Sequence, residues 1–274
     1  MAHAVRMEHS SPLRHDMPFL HIRGHRLHYL EAGAGRPILC FHSTPASAAF
    51  YRPQLEHFAS RYRVLAVDLR GHGDSDKPRG EYRIAEFLED YEAIIREFAL
   101  DDFVLVGCSV GGIVAQLYAM AHPQTLRGLV LIGSPCSRRG RDVAGFRRAV
   151  REIGWEAVVR GLVAKQLHPS MPEQSKQWAV DEYLKTPLHV REAEEEALLA
   201  DVHHTERLHR ITPPTLLVTG EAEEREIFEQ MKLMAQRLPR ATHHVIAGAA
   251  HMPNFERPEL FNPILDEFLQ ALSY

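Results

Sequence analysis

Cysteine is scarce in this chain, with three residues among 274: Cys40, Cys108 and Cys136. Each lies in or beside an apolar stretch typical of a strand. An odd number of cysteines without a secretory signal favours reduced, buried thiols and predicts a cytoplasmic protein. The opening residues, 1–18, contain no apolar run long enough for a signal peptide, and we expect a mobile tail there.

Long apolar runs and a large excess of one charge are also absent. No stretch approaches the length of a membrane span, so no membrane partner is expected. A net charge of −4 provides no electrostatic reason to expect nucleic acid as a partner. The hydrophobic content of 45% and the charged content of 25% are ordinary for a globular protein with a sizeable core.

Histidine is abundant, with 18 residues, but its arrangement does not indicate a metal site. In the adjacent pairs His203-His204 and His243-His244, neighbouring side chains point in different directions and seldom chelate one ion. No pair of histidines at helical spacing with a third ligand stands out. We therefore predict neither a metal nor another cofactor.

Short apolar runs alternate with amphipathic helical patterns along most of the chain, after a hairpin over residues 21–31 that turns at Gly24. This alternation predicts an α/β protein with a mostly parallel, eight-stranded sheet and helices on both faces. The further strands are predicted over 37–41, 63–67, 103–106, 126–132, 214–219 and 242–246, and helices over 84–98, 225–238 and 258–272.

One region, residues 137–210, lacks the strand pattern and is helical throughout, with an apolar stripe that begins at Trp155. Several prolines divide it into separate helices. A helical insertion between two strands of a sheet has to sit on that sheet as a lid. The predicted organisation is an α/β core of residues 19–136 and 211–274, with residues 137–210 as the lid.

The most informative stretch of the chain is the G-x-S-x-G run Gly107-Cys108-Ser109-Val110-Gly111, between a strand pattern and a helical pattern. A serine on such a sharp strand-to-helix turn points its hydroxyl outward, and the glycines leave room for the tight backbone. The N-terminus of the following helix favours negative charge that develops beside the serine. The context therefore predicts that Ser109 is a nucleophile.

Five blocks stand out along the chain, the third being the run 107–111, which we call the elbow, with Gly112. In order they are Phe41-His42-Ser43-Thr44-Pro45, Asp68-Leu69-Arg70-Gly71-His72-Gly73-Asp74-Ser75, the elbow with Gly112, Gly220-Glu221-Ala222-Glu223 and Gly248-Ala249-Ala250-His251. Together they resemble the blocks of the α/β-hydrolase family, in its capped form with a serine nucleophile, over roughly residues 19–274. The chain is most similar to enol-lactone hydrolases, small esterases and cofactor-free haloperoxidases. The resemblance implies a catalytic triad in the chain order serine, acid, histidine.

Two further residues complete the implied triad. His251 is the expected base, because a serine hydroxyl needs a base within hydrogen-bond reach and this loop follows the last strand. The family usually has aspartate as its acid, whereas this chain has Glu223, flanked by Glu221 and Glu224. Glu223 is the predicted acid. The alternative is that all three glutamates are solvated surface charges and the acid comes from elsewhere.

The implied oxyanion hole needs two donors. One is the backbone N–H of Val110, and the resemblance points to Thr44 for the other. Ser43 stands where the family usually has glycine after His42, which adds a Cβ to this loop. Either Ser43 or Thr44 adds a hydroxyl donor to the hole, or Ser43 only caps a turn. Arg138, at the start of the lid, is a candidate for binding a substrate carboxylate, with a solvated arginine cluster as the alternative.

The leading interpretation is a serine hydrolase that cleaves an ester or lactone of a small organic molecule through an acyl-enzyme. Hydrolysis of a C–C bond in a vinylogous diketone by the same triad is a close alternative. A small-molecule receptor that retains the triad is an alternative of another class. Dehalogenation and epoxide opening on this fold use an aspartate nucleophile, which Ser109 argues against. The oligomeric state stays open, with a homo-oligomer among the alternatives.

Overall fold

The computed structural model describes residues 18–80, 82–138, 142–197 and 202–274. The predicted tail over 1–18 thus lies, apart from Pro18, outside the described residues. The described strands are β1 Phe19–Ile22, β2 His25–Ala32, β3 Pro37–Phe41, β4 Arg63–Val67, β5 Phe103–Cys108, β6 Leu126–Ile132, β7 Ser137–Arg138, β8 Val202–His203, β9 Thr215–Gly220 and β10 Ala241–Ile246.

Within the described ranges, α-helices pack on both faces of the sheet, and four of them lie between β6 and β9 in the chain. They are α1 Arg52–Phe58, α2 Ile84–Glu97, α3 Val110–Ala121, α4 Val143–Ile153, α5 Trp155–Gln166, α6 Glu173–Leu184, α7 Leu188–Ala197, α8 Arg225–Arg237, α9 Pro253–Glu256 and α10 Pro258–Ala271.

Eight strands form the main sheet in the order β1-β2-β4-β3-β5-β6-β9-β10. Strands β1 and β2 form an antiparallel hairpin, and β2 also pairs antiparallel with β4. The other six strands of this sheet, β4, β3, β5, β6, β9 and β10, are parallel to one another. The expected α/β architecture is therefore confirmed. The carboxyl ends of the parallel strands meet at one edge, where open α/β sheets bind their ligands.

The central strands β3 and β5 contain no polar side chain, because both faces of the sheet are covered. In β3, Leu39 and Phe41 pack on the side of α2, α3 and α8, while Ile38 and Cys40 pack on the side of α1 and α10. The same alternation runs through β4, β5 and β6. Each face thus has its own core, and together they hold the ends of the strands in a fixed relative position.

Helices α4 to α7 follow β6 in the chain and contact loops at the carboxyl ends of the strands. Thr186, after α6, donates from Oγ1 to the carbonyl of Pro45 at 3.2 Å, and the N–H of His251 donates to the carbonyl of Gln166 at 3.0 Å. The sequence predicted that this region is helical throughout, and that prediction is wrong. Its ends pair antiparallel as β7 and β8, a two-residue ladder separate from the main sheet, because each flank of the insertion returns to the same edge.

Cys40, Cys108 and Cys136 are free and buried, which confirms the expected burial of the three thiols. Among the described residues, none of the helices combines the length and apolar character that crossing a membrane requires.

Candidate active site

Ser109 occupies the turn between β5 and α3 with φ 49° and ψ −115°, a left-handed conformation that is costly for a residue with a Cβ. Its N–H donates to the carbonyl of Ile132 on β6 at 2.8 Å, and its carbonyl accepts the N–H of Ile113 in α3 at 2.9 Å. The serine is buried, with 4% of its surface exposed. Strand and helix hydrogen bonds therefore hold the strained residue in place from both sides.

Two glycines of α3 allow the elbow to approach its neighbours. A Cβ on Gly111 would lie 2.6 Å from the carbonyl oxygens of Phe41 and His42, and one on Gly112 would lie 1.8 Å from Oγ of Ser134. Any side chain at these positions would force the helix away from β3 and β6. The glycines thus bring Ser109 close to the loop that contains Thr44.

His251 and Glu223 form a buried pair. Nδ1 of His251 lies 2.9 Å from Oε2 and 3.1 Å from Oε1 of Glu223, and the two side chains are 6% and 2% exposed. A carboxylate only accepts hydrogen bonds, so Nδ1 carries the proton and donates it. In the neutral imidazole this leaves Nε2 with a free lone pair, which is the protonation state that a general base needs.

The space for this pair depends on Gly133, which follows β6 with φ 50°. A Cβ there would lie 2.6 Å from Oε2 of Glu223 and 3.2 Å from Nδ1 of His251. The neighbouring glutamates have other partners: Glu221 accepts the N–H of Gly248 at 3.1 Å. Glu224 lies 3.2 Å from Nζ of Lys165 in α5.

The elbow and the His251 loop are in contact. Sγ of Cys108, next to Ser109, lies 4.0 Å from the carbonyl oxygen of His251. Burial raises the pKa of the Cys108 thiol well above its ordinary value, so this neighbour of the serine stays protonated and unreactive. The structure thus gathers Ser109, His251 and Glu223 at the carboxyl ends of β5, β10 and β9.

His42 determines how the loop after β3 is oriented. Its Nε2 accepts the N–H of Leu69 at 2.9 Å, so its Nδ1 is the protonated nitrogen and donates to the carbonyl of Ser43 at 2.7 Å. The same carbonyl accepts the N–H of Ala46 at 2.9 Å. In a trans peptide the N–H points opposite the C=O, so the N–H of Thr44 faces away from His42. Burial, with the charge of His72, lowers the pKa of His42 to about 4 and keeps it neutral.

The two hydroxyls of this loop differ in their surroundings. Oγ of Ser43 lies 3.7 Å from Sδ of Met252, the residue after His251. Oγ1 of Thr44 is buried and has no hydrogen-bond partner in the described part of the chain. A buried hydroxyl without a partner is costly unless a ligand supplies one. Arg138 lies in β7, but its side chain is outside the described part of the chain, as are residues 139–141.

A buried cluster that the sequence did not single out joins α7 to the loop after β4. Nε2 of His72 lies 3.0 Å from Oε1 of Glu194 on α7, and Nδ1 donates to the carbonyl of Arg70 at 3.0 Å. Burial alone would raise the pKa of Glu194, but the charges of His72 and Arg191 outweigh it and lower the pKa to about 2.

Within the described residues, His28, Asp68 and Asp74 bring possible metal-ligating atoms within 4.8 Å of one another. The Asp68 carboxylate is already engaged, because it accepts the N–H of Ala48 at 2.6 Å, the N–H of Asp74 at 2.9 Å and a contact from Nδ1 of His28 at 2.7 Å. These bonds fold the loops after β3 and β4 together. They occupy the atoms that an ion would need.

Comparison with known proteins agrees with this fold. The chain belongs to the alpha/beta hydrolase fold family, whose model matches residues 36–258. The resemblance expected from the five sequence blocks is thereby confirmed.

Three similar proteins illustrate the range of the family. 3-Oxoadipate enol-lactonase 2 of Acinetobacter baylyi is 27% identical over 255 residues, which covers 90% of this chain and 94% of the lactonase. Epoxide hydrolase 4 of Homo sapiens is 26% identical over 281 residues, covering 90% of this chain and 76% of that protein. A solved esterase structure from Rhodococcus sp. ECU1013 has a TM-score of 0.79 at 26% identity, covering 93% of this chain and 98% of the esterase.

Proposed function

We propose that this protein hydrolyses a carboxylic ester or lactone of a small organic molecule through an acyl-enzyme. Ser109 attacks the carbonyl carbon, His251 takes the serine proton and returns it to the leaving group, and Glu223 orients the imidazole and stabilises its charged form. Water then attacks the acyl-serine with His251 again as the base. The observation that carries the proposal is the buried contact of 2.9 Å between Nδ1 of His251 and Glu223, on a loop that touches the elbow.

The oxyanion of the tetrahedral intermediate needs donors that are fixed before the reaction. We assign this role to the main-chain N–H groups of Val110 and Thr44. Val110 begins α3, so its N–H is among the unpaired donors of the helix N-terminus. The N–H of Thr44 shares a planar peptide unit with the carbonyl of Ser43. The hydrogen bonds that this carbonyl accepts therefore fix the direction of the N–H. The unpartnered Oγ1 of Thr44 supplies a third donor.

Residues 137–210 act as a lid in this proposal, over the core of residues 19–136 and 211–274. Their contacts with the loops after β3 and β10 support that role. A lid excludes water and shapes the pocket for a small substrate. No cofactor enters the mechanism, and the buried free cysteines fit a reducing compartment such as the cytoplasm.

The similarity to an epoxide hydrolase does not favour epoxide opening here. Epoxide opening on this fold uses an aspartate nucleophile, whereas the elbow of this chain carries Ser109. A serine oxygen attacks acyl carbon and benefits from an oxyanion hole. The enol-lactonase and esterase similarities favour the same chemistry.

The test is turnover of an activated aryl ester by the parent protein and by Ser109→Ala. The parent should turn over many times and take up one equivalent of a serine-directed phosphonate. The variant should remain folded, take up none, and lose activity by about 10⁴-fold or more. Ser134→Ala, which removes a buried hydroxyl beside the elbow, is the matched control and should keep both activity and labelling.

Near-parental activity in Ser109→Ala would overturn the assignment of the nucleophile. A single slow turnover by the parent, with a large lid movement, would favour a receptor instead of an enzyme. Cleavage of a vinylogous diketone at a higher kcat/KM than any ester or lactone would favour the C–C hydrolase alternative.

A further inference from the structure

Glu256 is a buried carboxylate with three main-chain donors. The residue ends the short helix α9 and is 5% exposed. Its Oε1 accepts the N–H of Ala250 at 3.1 Å and the N–H of Met252 at 2.9 Å. Its Oε2 accepts the N–H of His168 at 2.6 Å, in the turn between α5 and α6. The first two donors flank His251 directly.

These bonds leave the backbone around His251 with little freedom. The N–H groups of Ala250 and Met252 both point to Glu256, and the N–H of His251 itself donates to the carbonyl of Gln166 at 3.0 Å. Three consecutive amides are therefore tied, two to one carboxylate and one to the lid backbone. Rotation of the His251 peptide in either direction would break at least one of these bonds.

The same carboxylate joins the histidine loop to the lid. Glu256 holds the lid at His168 while the lid holds His251 at Gln166. The two hydrogen bonds lie two residues apart in the lid. The lid donates the bond to Glu256 and accepts the bond from His251. A displacement of this turn would therefore move the backbone of His251.

Burying a carboxylate carries a desolvation cost, which the three N–H donors offset. An apolar side chain in its place would leave all three donors without a partner. Burial raises the pKa of Glu256, while the three N–H groups and the nearby His251 act in the opposite direction.

We propose that Glu256 is a positioning residue that holds His251 in its reactive orientation and couples it to the lid. The proposal rests on the function proposed above, in which His251 is the base. A displacement of about 1 Å of a reacting group can cost about 10²-fold in rate. The contacts of Glu256 lie in the backbone of the histidine, so their loss acts through His251 and not through the substrate.

The test uses Glu256→Gln in the full-length protein. A carboxylate has two acceptor oxygens, whereas an amide has one, so the amide NH2 must face either His168 N–H or the two donors beside His251. We expect kcat on an activated ester to fall by about 10- to 100-fold, with KM changed by less than about threefold. Asp90→Asn is the matched control, because Asp90 is also buried and paired, but to Arg23 and Arg70.

A double-mutant cycle separates positioning from stability. If Glu256 acts through His251, then Glu256→Gln added to His251→Ala should lower the residual rate by less than about twofold, since the group it positions is gone. A residue that only supports the fold would lower the rate by the same factor in both backgrounds. Thermal unfolding of all four proteins reports the stability contribution independently.

Equal losses in the two backgrounds, or a kcat within about twofold of the parent, would overturn the positioning role. If Glu256→Gln does not fold, Glu256→Asp replaces it: the charge remains, but the side chain is too short to reach all three donors. Failure of both to fold would assign Glu256 a structural role and overturn the proposal. Ser109→Ala and His251→Ala, measured in parallel, identify the separate case in which the proposed function itself is wrong.

Discussion

Replacement of Glu223 by glutamine tests the proposed triad at the member that departs from the family's usual aspartate. Oε2 and Oε1 of Glu223 face Nδ1 of His251 at 2.9 and 3.1 Å, and Oε1 also accepts the N–H of Glu224 at 2.8 Å. A carboxylate can accept all of these contacts. An amide of nearly the same shape has one acceptor oxygen and one NH2 donor group.

Both orientations of the amide are unfavourable. With its oxygen toward His251, its NH2 faces the N–H of Glu224, donor against donor. With its oxygen toward Glu224, its NH2 faces Nδ1, which must then accept, so the ring proton moves to Nε2 and blocks the base. Neither orientation stabilises the imidazolium. We therefore expect kcat to fall by about 10²–10⁴, equivalent to a barrier increase of about 3–5 kcal/mol.

The assay is steady-state hydrolysis of one activated ester by three variants in parallel. Glu221→Gln and Glu224→Gln are matched controls, because their carboxylates bind Gly248 and Lys165 instead of His251. Each should change kcat by less than about tenfold. A large loss in either control without one in Glu223→Gln would leave the triad but reassign its acid. No loss in any of the three would refute the reasoning from the His251–Glu223 contact.

Two further outcomes follow from the loop after β3 and from the buried ion-pair cluster. Thr44→Val should lower kcat on the same ester by about tenfold, because valine lacks the hydroxyl donor. Thr44→Ser keeps that donor and should not lower kcat. Equal rates for the two variants would show that the hydroxyl is not part of the oxyanion hole. The low pKa of Glu194, about 2, means that its ion pairs stabilise the fold above its ordinary pKa near 4.5 and that this contribution is lost as pH falls toward 2. Glu194→Gln should be less stable than the parent in urea at neutral pH, and the difference should shrink toward pH 2; a difference independent of pH would contradict it.

Much of the fold follows from local pattern. Strand β6 begins and ends where the apolar run predicted, at Leu126 and Ile132, and the helix from Ile84 is shorter than predicted by one residue. These elements can be predicted because each pattern involves residues that are close in sequence. A strand alternates between its two faces, and a helix has an apolar stripe along one side. The pairing of β7 with β8 has no such sequence pattern. It is stabilised by hydrogen bonds between two segments that are more than sixty residues apart in the chain.

The sequence also indicated the three residues of the candidate triad, because each occupies a block at the end of a strand. Their chain order and the strand order of an α/β sheet leave few places where they can meet. The sequence predicted Glu223 from its spacing in the family block, with three solvated glutamates as the alternative. Packing distinguishes the three in the structure, because Gly133, which follows β6 and is distant in sequence, leaves space beside Glu223 and His251.

The roles of Glu256 and Glu194 were decided by tertiary structure alone. Glu256 contacts a residue 88 positions away, and Glu194 on α7 contacts His72 in the loop after β4. In the sequence both look like ordinary charges on helices, where glutamate is usually solvated. Whether such a carboxylate is exposed or buried with fixed partners depends on how the helices between β6 and β9 pack on the rest of the protein. No local sequence pattern encodes that packing.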